Sequence, residues 1–178
     1  MSQIVIGLGH RARAGKDSVA NVLCGAYGFS RLSFAESLKA AACEIFGWDR
    51  RHVDGELKEV VDGYWGFSPR WALQHLGTEA VRRVIGDDTW IKSAMLRIRT
   101  RGPRVVITDV RFPNEADAIL DLGGEVWRVD RPGLPPAEHA SERGLLGYSR
   151  WSAVLANDGS LSDLESSVDQ LVGRRLGL

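Results

Sequence analysis

A β-branched run, Ile4-Val5-Ile6, leads through Gly7 and Gly9 to Gly15-Lys16 and then to Ser18–Leu23, where Val19, Val22 and Leu23 share one side of a helix. Strand, glycine-bearing loop and helix, in that order, constrain the chain more than any other stretch: a strand must feed a helix through an open turn. The first N–H groups of a helix lack helical partners, and the helix dipole favours negative charge there. A phosphate at such a junction is held largely by the main chain, and Lys16 adds a point charge. The stretch reads as a phosphate cradle.

The pattern G-x-x-x-x-G-K-[ST] is met only in part. With Gly15-Lys16 setting the register, His10 takes the first glycine position and Asp17 the hydroxyl position, while Gly9 falls one residue early and Ser18 one late. Gly7-Leu8-Gly9-His10-Arg11-Ala12 also fits the dinucleotide fingerprint G-x-G-x-x-[GA]. That reading expects an acidic ribose ligand about 20 residues on. The chain offers Arg31-Leu32-Ser33-Phe34 there, and no carboxylate until Glu36. From these residues alone both readings stand, beside that of an ordinary glycine-containing turn.

With 178 residues the chain can bury one full core, which predicts one domain with inserted segments. Lys and Arg number 23 and Asp and Glu also 23, so no basic surplus draws the protein to nucleic acid or anionic lipid. Cys24 and Cys43 are not spaced as a metal or redox pair and are expected to be buried, reduced thiols. No apolar run approaches the roughly 20 residues that span a bilayer. A soluble, cytoplasmic protein is expected.

Along the chain, Gly28 closes the first helix, Phe29–Phe34 is a second strand, and a helix runs from Ala35 to Phe46, ended by Gly47. Residues 49–66 are charged and poorly periodic, with Trp48, Tyr64 and Trp65 scattered through them, and read as helix pieces and loop over the mouth of a site. Ser68 caps the next helix, Pro69 suits its first turn, and Leu73, Leu76, Ala80 and Val84 form its apolar stripe. On its other face Arg70, Gln74, Thr78 and Arg82 follow at i, i+4, i+8 and i+12, a line about 18 Å long with Glu79 alongside. Asp88 or Thr89 starts a helix through Ile98.

Val105–Thr108 is apolar enough for a central parallel strand, and Asp109 and Arg111 follow at its carboxyl end, where open α/β sheets bind ligands. A carboxylate there could hold Mg²⁺ through water. Pro113 begins a helix that Gly123-Gly124 ends, and Val126–Val129 is the fourth strand. Asp130–Ser149, rich in proline and glycine and carrying Arg131, His139, Glu142 and Arg143, reads as a mobile lid. His139 has no Cys or His partner nearby and is not expected to bind metal. Trp151–Leu155 is the last strand, and a helix from Ser160 or Ser162 to Val172 follows Asn157-Asp158-Gly159. Trp65, Phe67, Trp71 and Trp90 are candidate stacking or wall residues, or core.

The ordered combination resembles the deoxynucleoside monophosphate kinases of bacteriophages, a branch of the P-loop nucleotide kinases. The similar segments are Arg11–Ser18, Ser33-Phe34-Ala35 through Leu38-Lys39, Leu73-Gln74 with Gly77-Thr78-Glu79 and Arg82, Asp109–Glu115, Gly123-Gly124, Arg131-Pro132, His139-Ala140-Ser141-Glu142 and Asn157-Asp158-Gly159. The departure is His10, where the family usually has a small residue; the Asp17-Ser18 pair, which spoils the general pattern, is itself similar to the family's loops. His10 could crowd the β-phosphate or point outward.

The resemblance implies an α/β P-loop kinase fold: a mostly parallel five-stranded sheet flanked by helices, with a helical substrate-binding region at about 35–101 and a lid at about 131–150. The core would be roughly 1–34, 103–130 and 151–178. It implies ATP as phosphoryl donor with Mg²⁺, and transfer to a deoxyribonucleoside monophosphate. Catalytic roles fall to Lys16, Arg82, Asp109, Arg111, Arg131 and Arg143. Arg13, Ala14, Gly15, Lys16, Asp17, Ser18, Asn157 and Gly159 would bind the donor, and Ser18 or Asp109 the metal. Ser33, Phe34, Lys39, Trp71, Gln74, Thr78, Glu79, Arg82 and Arg111 would bind the acceptor. Partners would be small nucleotides, with neither nucleic acid nor membrane, and a homodimer is possible. Another small-molecule P-loop kinase, a binding-only protein and a polynucleotide kinase are the alternatives, the last disfavoured by the neutral charge.

Overall fold

The structure is a computed structural model and describes residues 3–135 and 143–176. The chain divides into two compact units, residues 1–33 with 98–178, and residues 34–97. In the first unit β1 (Ile4–Gly9), β2 (Ser30–Leu32), β3 (Arg104–Val110), β4 (Glu125–Asp130) and β5 (Ala153–Ala156) make one sheet in the order β2-β3-β1-β4-β5. Every neighbouring pair is parallel. This is the expected five-stranded α/β sheet, and all five strands end at the same edge.

Helices cover both faces, as parallel strands joined by crossovers require. Ile6 and Leu8 of β1 pack with Val19, Ala20 and Leu23 of α1 (Lys16–Tyr27) and with Leu164, Val168 and Val172 of α7 (Leu161–Leu176). Gly7 points the other way, where a Cβ would stand 2.5 Å from Ile119 of α6 (Pro113–Asp121). The glycine lets α6 lie close on β1. The second strand is shorter than the Phe29–Phe34 expected: only Ser30–Leu32 pair with β3, and Phe29 is buried just before them.

The second unit contains α2 (Glu36–Phe46), α3 (Arg50–Val53), α4 (Pro69–Gln74) and most of α5 (Thr89–Ile98). The aromatics around residues 46–75 are not scattered. Phe46 stands 4.5 Å from Trp48, 5.2 Å from Trp65 and 5.6 Å from Phe67 between ring centroids, and Phe67, Trp71 and His75 continue the chain at 5.0 and 3.9 Å. Asp62 gathers this segment, accepting hydrogen bonds from the Trp48 indole (2.8 Å) and from the Tyr64 and Trp65 amides.

The helix expected from Ser68 starts as predicted: Ser68 accepts from the Trp71 amide at 3.3 Å and Pro69 takes the first turn. It does not continue as an α-helix. From His75 to Arg82 the backbone is π-helical, with Arg83 N–H bonded five residues back to the Thr78 carbonyl at 3.0 Å. The wider turn moves the buried face off the predicted stripe, leaving Ala80 exposed and Val84 77% exposed. Gly77 takes the packed place instead; its missing Cβ would stand 2.7 Å from Leu38, and its carbonyl accepts from Trp90 Nε1 at 3.0 Å.

Cys24 and Cys43 are unbridged and half-buried rather than buried, and burial pushes both thiols up. Among the described residues no helix is long and apolar enough to cross a membrane. His139 and Glu142 lie outside the described residues.

Candidate active site

In the first unit the parallel strands carry the Lys16 loop, Asp109 and Arg111, Arg131 and Asn157 to one edge of the sheet. Gly9 at the end of β1 lies beside Val110 of β3 and Arg128 of β4, and Asp130 of β4 lies beside Ala156 of β5. The loop after β1 turns through three positive φ angles, His10 at 89°, Arg13 at 60° and Gly15 at 105°. Lys16 folds back over it, donating from Nζ to the carbonyls of Arg11 at 2.5 Å and His10 at 3.3 Å. No side chain caps the start of α1. The amides of that turn face a position that a phosphate suits.

Asn157 braces the far end of the loop. Its amide Nδ2 donates to the carbonyl of buried Ala14 at 2.8 Å, and a Cβ on Gly15 would overlap that amide. The loop therefore needs glycine at 15 twice over, for its φ and for its neighbour. Gly159 stands just before α7, where Asp163 accepts from the Ser160 amide at 2.8 Å and hydroxyl at 2.6 Å.

The two residues after Lys16 part company. Asp17, expected on the donor, is paired with Arg31 of β2, its side chain 88% exposed. Ser18 is half-buried and lines a groove of about 300 Å³ with Asn21, Val22, Leu161 and Glu165. His10 neither crowds the loop nor points into solvent. Its ring, 15% exposed, sits with Nδ1 2.9 Å from Asp130 Oδ1 and lies perpendicular to the Trp151 ring, 6.5 Å away between centroids. That approach is not aligned as a hydrogen bond, so the attraction is one of charge and dipole. Burial lowers the His10 pKa against the opposing pull of Asp130. His10, Arg11, Arg128, Asp130, Arg131 and Asp158 line a cleft of about 370 Å³.

Asp109 is half-buried next to the last residue of β3, and Arg111 follows the strand, exposed. Sequence reasoning overlooked what holds this corner. Glu115, 2% exposed, accepts from the amides of Arg111 (2.8 Å) and Phe112 (3.2 Å). A carboxylate three residues after the residue preceding a helix, with Pro113 between them, was a readable capping signal. On its other side the Arg111 carbonyl abuts Gly144, which is too close to Phe112 to bear a Cβ (2.9 Å). Arg131, at the start of the expected lid, and Arg143, within it, are exposed.

Ser33 is half-buried after β2. In the second unit Phe34 is 3% exposed, a core residue rather than a contact surface. Lys39 is paired with Asp54. Burial works to raise the Asp54 pKa, but Lys39 and Arg50 outweigh it and hold the carboxyl below its usual value. Trp71 is 47% exposed and stacked on His75, and Glu79 pairs with Arg83 at 3.2 Å. Gln74 and Arg82 are half-buried and Thr78 is exposed, but the π-helical turn takes them off the straight line that i+4 spacing predicts.

Residues 50–168 match the family model described as deoxynucleotide monophosphate kinase. A protein of Acanthamoeba polyphaga mimivirus, provisionally named a deoxynucleotide monophosphate kinase, is 33% identical over 93% of this chain and 94% of its own. The deoxynucleotide monophosphate kinase of Escherichia phage RB69 is 30% identical over 60% of this chain, a match that spans 45% of the phage protein. In fold the chain is similar to shikimate kinase from Aquifex aeolicus, with a TM-score of 0.58 at 13% identity over 98% of this chain and 100% of that one.

Proposed function

The chain belongs to the deoxynucleotide monophosphate kinase family, and on that premise we propose that it transfers the γ-phosphoryl of ATP to the 5′-phosphate of a deoxyribonucleoside monophosphate. ADP and the deoxynucleoside diphosphate are the products. The observation that carries the reading is the Lys16 loop, an uncapped helix start with a lysine held over it at the carboxyl edge of a parallel sheet. Such a site binds a polyphosphate through backbone amides and one cation.

The acceptor is a phosphate already ionised at neutral pH, so no strong general base is needed. Catalysis reduces to positioning and to neutralising charge. In this reading the amides of Arg13, Ala14, Gly15 and Lys16 cradle the donor phosphates, and Asn157 serves by bracing that cradle, with Gly159 near the donor nucleoside. Asp17 supports the loop from outside through Arg31. Arg111, Arg131 and Arg143 carry the charge of the transferring group. The helical unit binds the acceptor, with Arg82 on its phosphate and Trp71, Gln74, Thr78 and Glu79 near its nucleoside. Phe34 and Lys39 support that pocket from within the same unit, and Ser33 is a further acceptor contact in this reading.

Among the described residues no cluster of three or more metal-ligating side chains occurs. Mg²⁺ bound with nucleotide phosphates needs only one or two protein oxygens, so the donors at hand, the Asp109 carboxylate and the Ser18 hydroxyl, fit it chemically. Bound there, the ion would offset charge on the β- and γ-phosphates. Assembly as a homodimer is a further expectation, checked by light scattering.

The test is ADP release with Mg-ATP across all deoxy- and ribonucleoside monophosphates, with dephospho-coenzyme A as a control acceptor. Turnover with deoxy acceptors and little with ribo ones is expected. ATP binding with no transfer to any nucleotide would sink the proposal.

A further inference from the structure

The residue that breaks the phosphate-loop pattern has a place built for it. His10 adopts φ 89°, a backbone state uncommon outside glycine, although histidine takes it more readily than most residues, as asparagine and aspartate do. Its ring lies between Asp130 at the end of β4 and the perpendicular ring of Trp151. Trp151 is itself pressed on the neighbouring backbone, where a Cβ on Gly9 would stand 2.8 Å from its ring, and its indole donates to the Tyr148 carbonyl at 2.7 Å. The His10 carbonyl, with that of Arg11, accepts from Lys16 Nζ. The φ of His10 therefore bears on where the ammonium stands.

The two ends of the loop also hang on one support. Asp130 faces the His10 ring with its carboxylate, while its carbonyl accepts from the Asn157 amide N–H at 2.7 Å. Asn157 in turn holds Ala14. The charged groups around the ring are Asp130 and Arg128 from β4 and Arg11 from the loop, with Asp158 lining the same cleft. Arg128 pairs with Asp130 at 2.7 Å, so that carboxylate stays in place whatever the ring does.

We propose that His10 is a positioning residue: by seating its ring against Asp130 and Trp151 it holds the start of the phosphate loop in the conformation that aims Lys16. The inference rests on the kinase reading for its consequence in turnover, but not for its consequence in ATP binding.

The experiment compares His10→Ala, His10→Gly and His10→Asn with the wild type, by calorimetric ATP binding without acceptor and by steady-state kinetics. His10→Ala is expected to weaken ATP binding about fivefold, the scale of one lost side-chain contact, and to raise KM for ATP alike. KM for the acceptor should not move. His10→Gly takes the positive φ freely but lacks the ring, so it should fall with alanine. His10→Asn tolerates the same φ and carries an amide toward Asp130, so it should recover most of the loss. In a His10→Ala, Asp130→Asn double variant the two losses should overlap rather than add. A glycine variant equal to wild type, or equal losses for ATP and acceptor, would overturn the proposal. A wild type that binds ATP but transfers to no acceptor would sink the kinase reading while the binding series still judges His10. No ATP binding by the wild type would overturn both.

Discussion

The edge of the sheet and the helical unit are organised in opposite ways. At the sheet edge side chains are placed by backbone: parallel strands stop together, and the loop between β1 and α1 is tied by main-chain carbonyls to Lys16 and Asn157. In residues 34–97 side chains place the backbone, through an aromatic chain from Trp48 to His75 and a π-helical turn seated on Leu38 and Trp90. Groups proposed to meet a phosphate are thus set by hydrogen bonds of fixed length. Those proposed to meet a varied nucleoside are set by packing, which tolerates adjustment.

The contrast can be broken most sharply at Trp48, 7% exposed at the buried end of the aromatic chain. Trp48→Ala should lower stability by about 3–5 kcal/mol in urea unfolding. A loss under about 1 kcal/mol would mean that the aromatics do not hold the helical unit. At the sheet edge Lys16→Ala should raise the barrier to transfer by about 2–4 kcal/mol, read as ADP release, with the melting temperature unchanged. Activity that survives would remove the phosphate loop from the mechanism.

Smaller effects sharpen the picture. Gly15→Ala forces a side chain into φ 105° and onto the Asn157 amide, and should destabilise by more than about 1 kcal/mol while weakening ATP binding. Tyr148, bonded to Asp117 at 2.8 Å, ties the end of the expected lid to α6. Burial, then that bond, pushes its hydroxyl up to about 12. The folded value is the higher one, so the contribution is whole below pH 10 and is lost as pH rises through about 12. Thermal melts of Tyr148→Phe should lack that alkaline fall, and below pH 10 the variant should be weaker by about 1 kcal/mol. A wild type with a flat alkaline profile would show that this bond does not hold the lid end.

What could be read in advance followed the range of the interaction. Gly15-Lys16, Ser68-Pro69 and Pro113 act within a turn of chain, and each lies where its local chemistry put it. Glu115 was equally local and was legible as a cap, although its burial was not. The Asn157 brace joins residues 143 apart in the chain, and nothing near either one announces it. The straight line from Arg70 to Arg82 failed for a subtler reason. Choosing between bonds four and five residues back costs little locally, so distant contacts at Gly77 decided it.

By itself, then, the sequence determined that strands alternate with helices, that a phosphate-type loop follows the first strand, and which family the chain resembles. These depend on periodicity, turn chemistry and residue type, all written in adjacent positions. Only the tertiary structure decided that His10 turns its ring to Asp130, that Asp17 leaves the loop for Arg31, and that the helix from Ser68 widens at His75. Each of those outcomes balances a local preference against a partner remote in the chain, and the partner's position exists only once the sheet and its helices have packed.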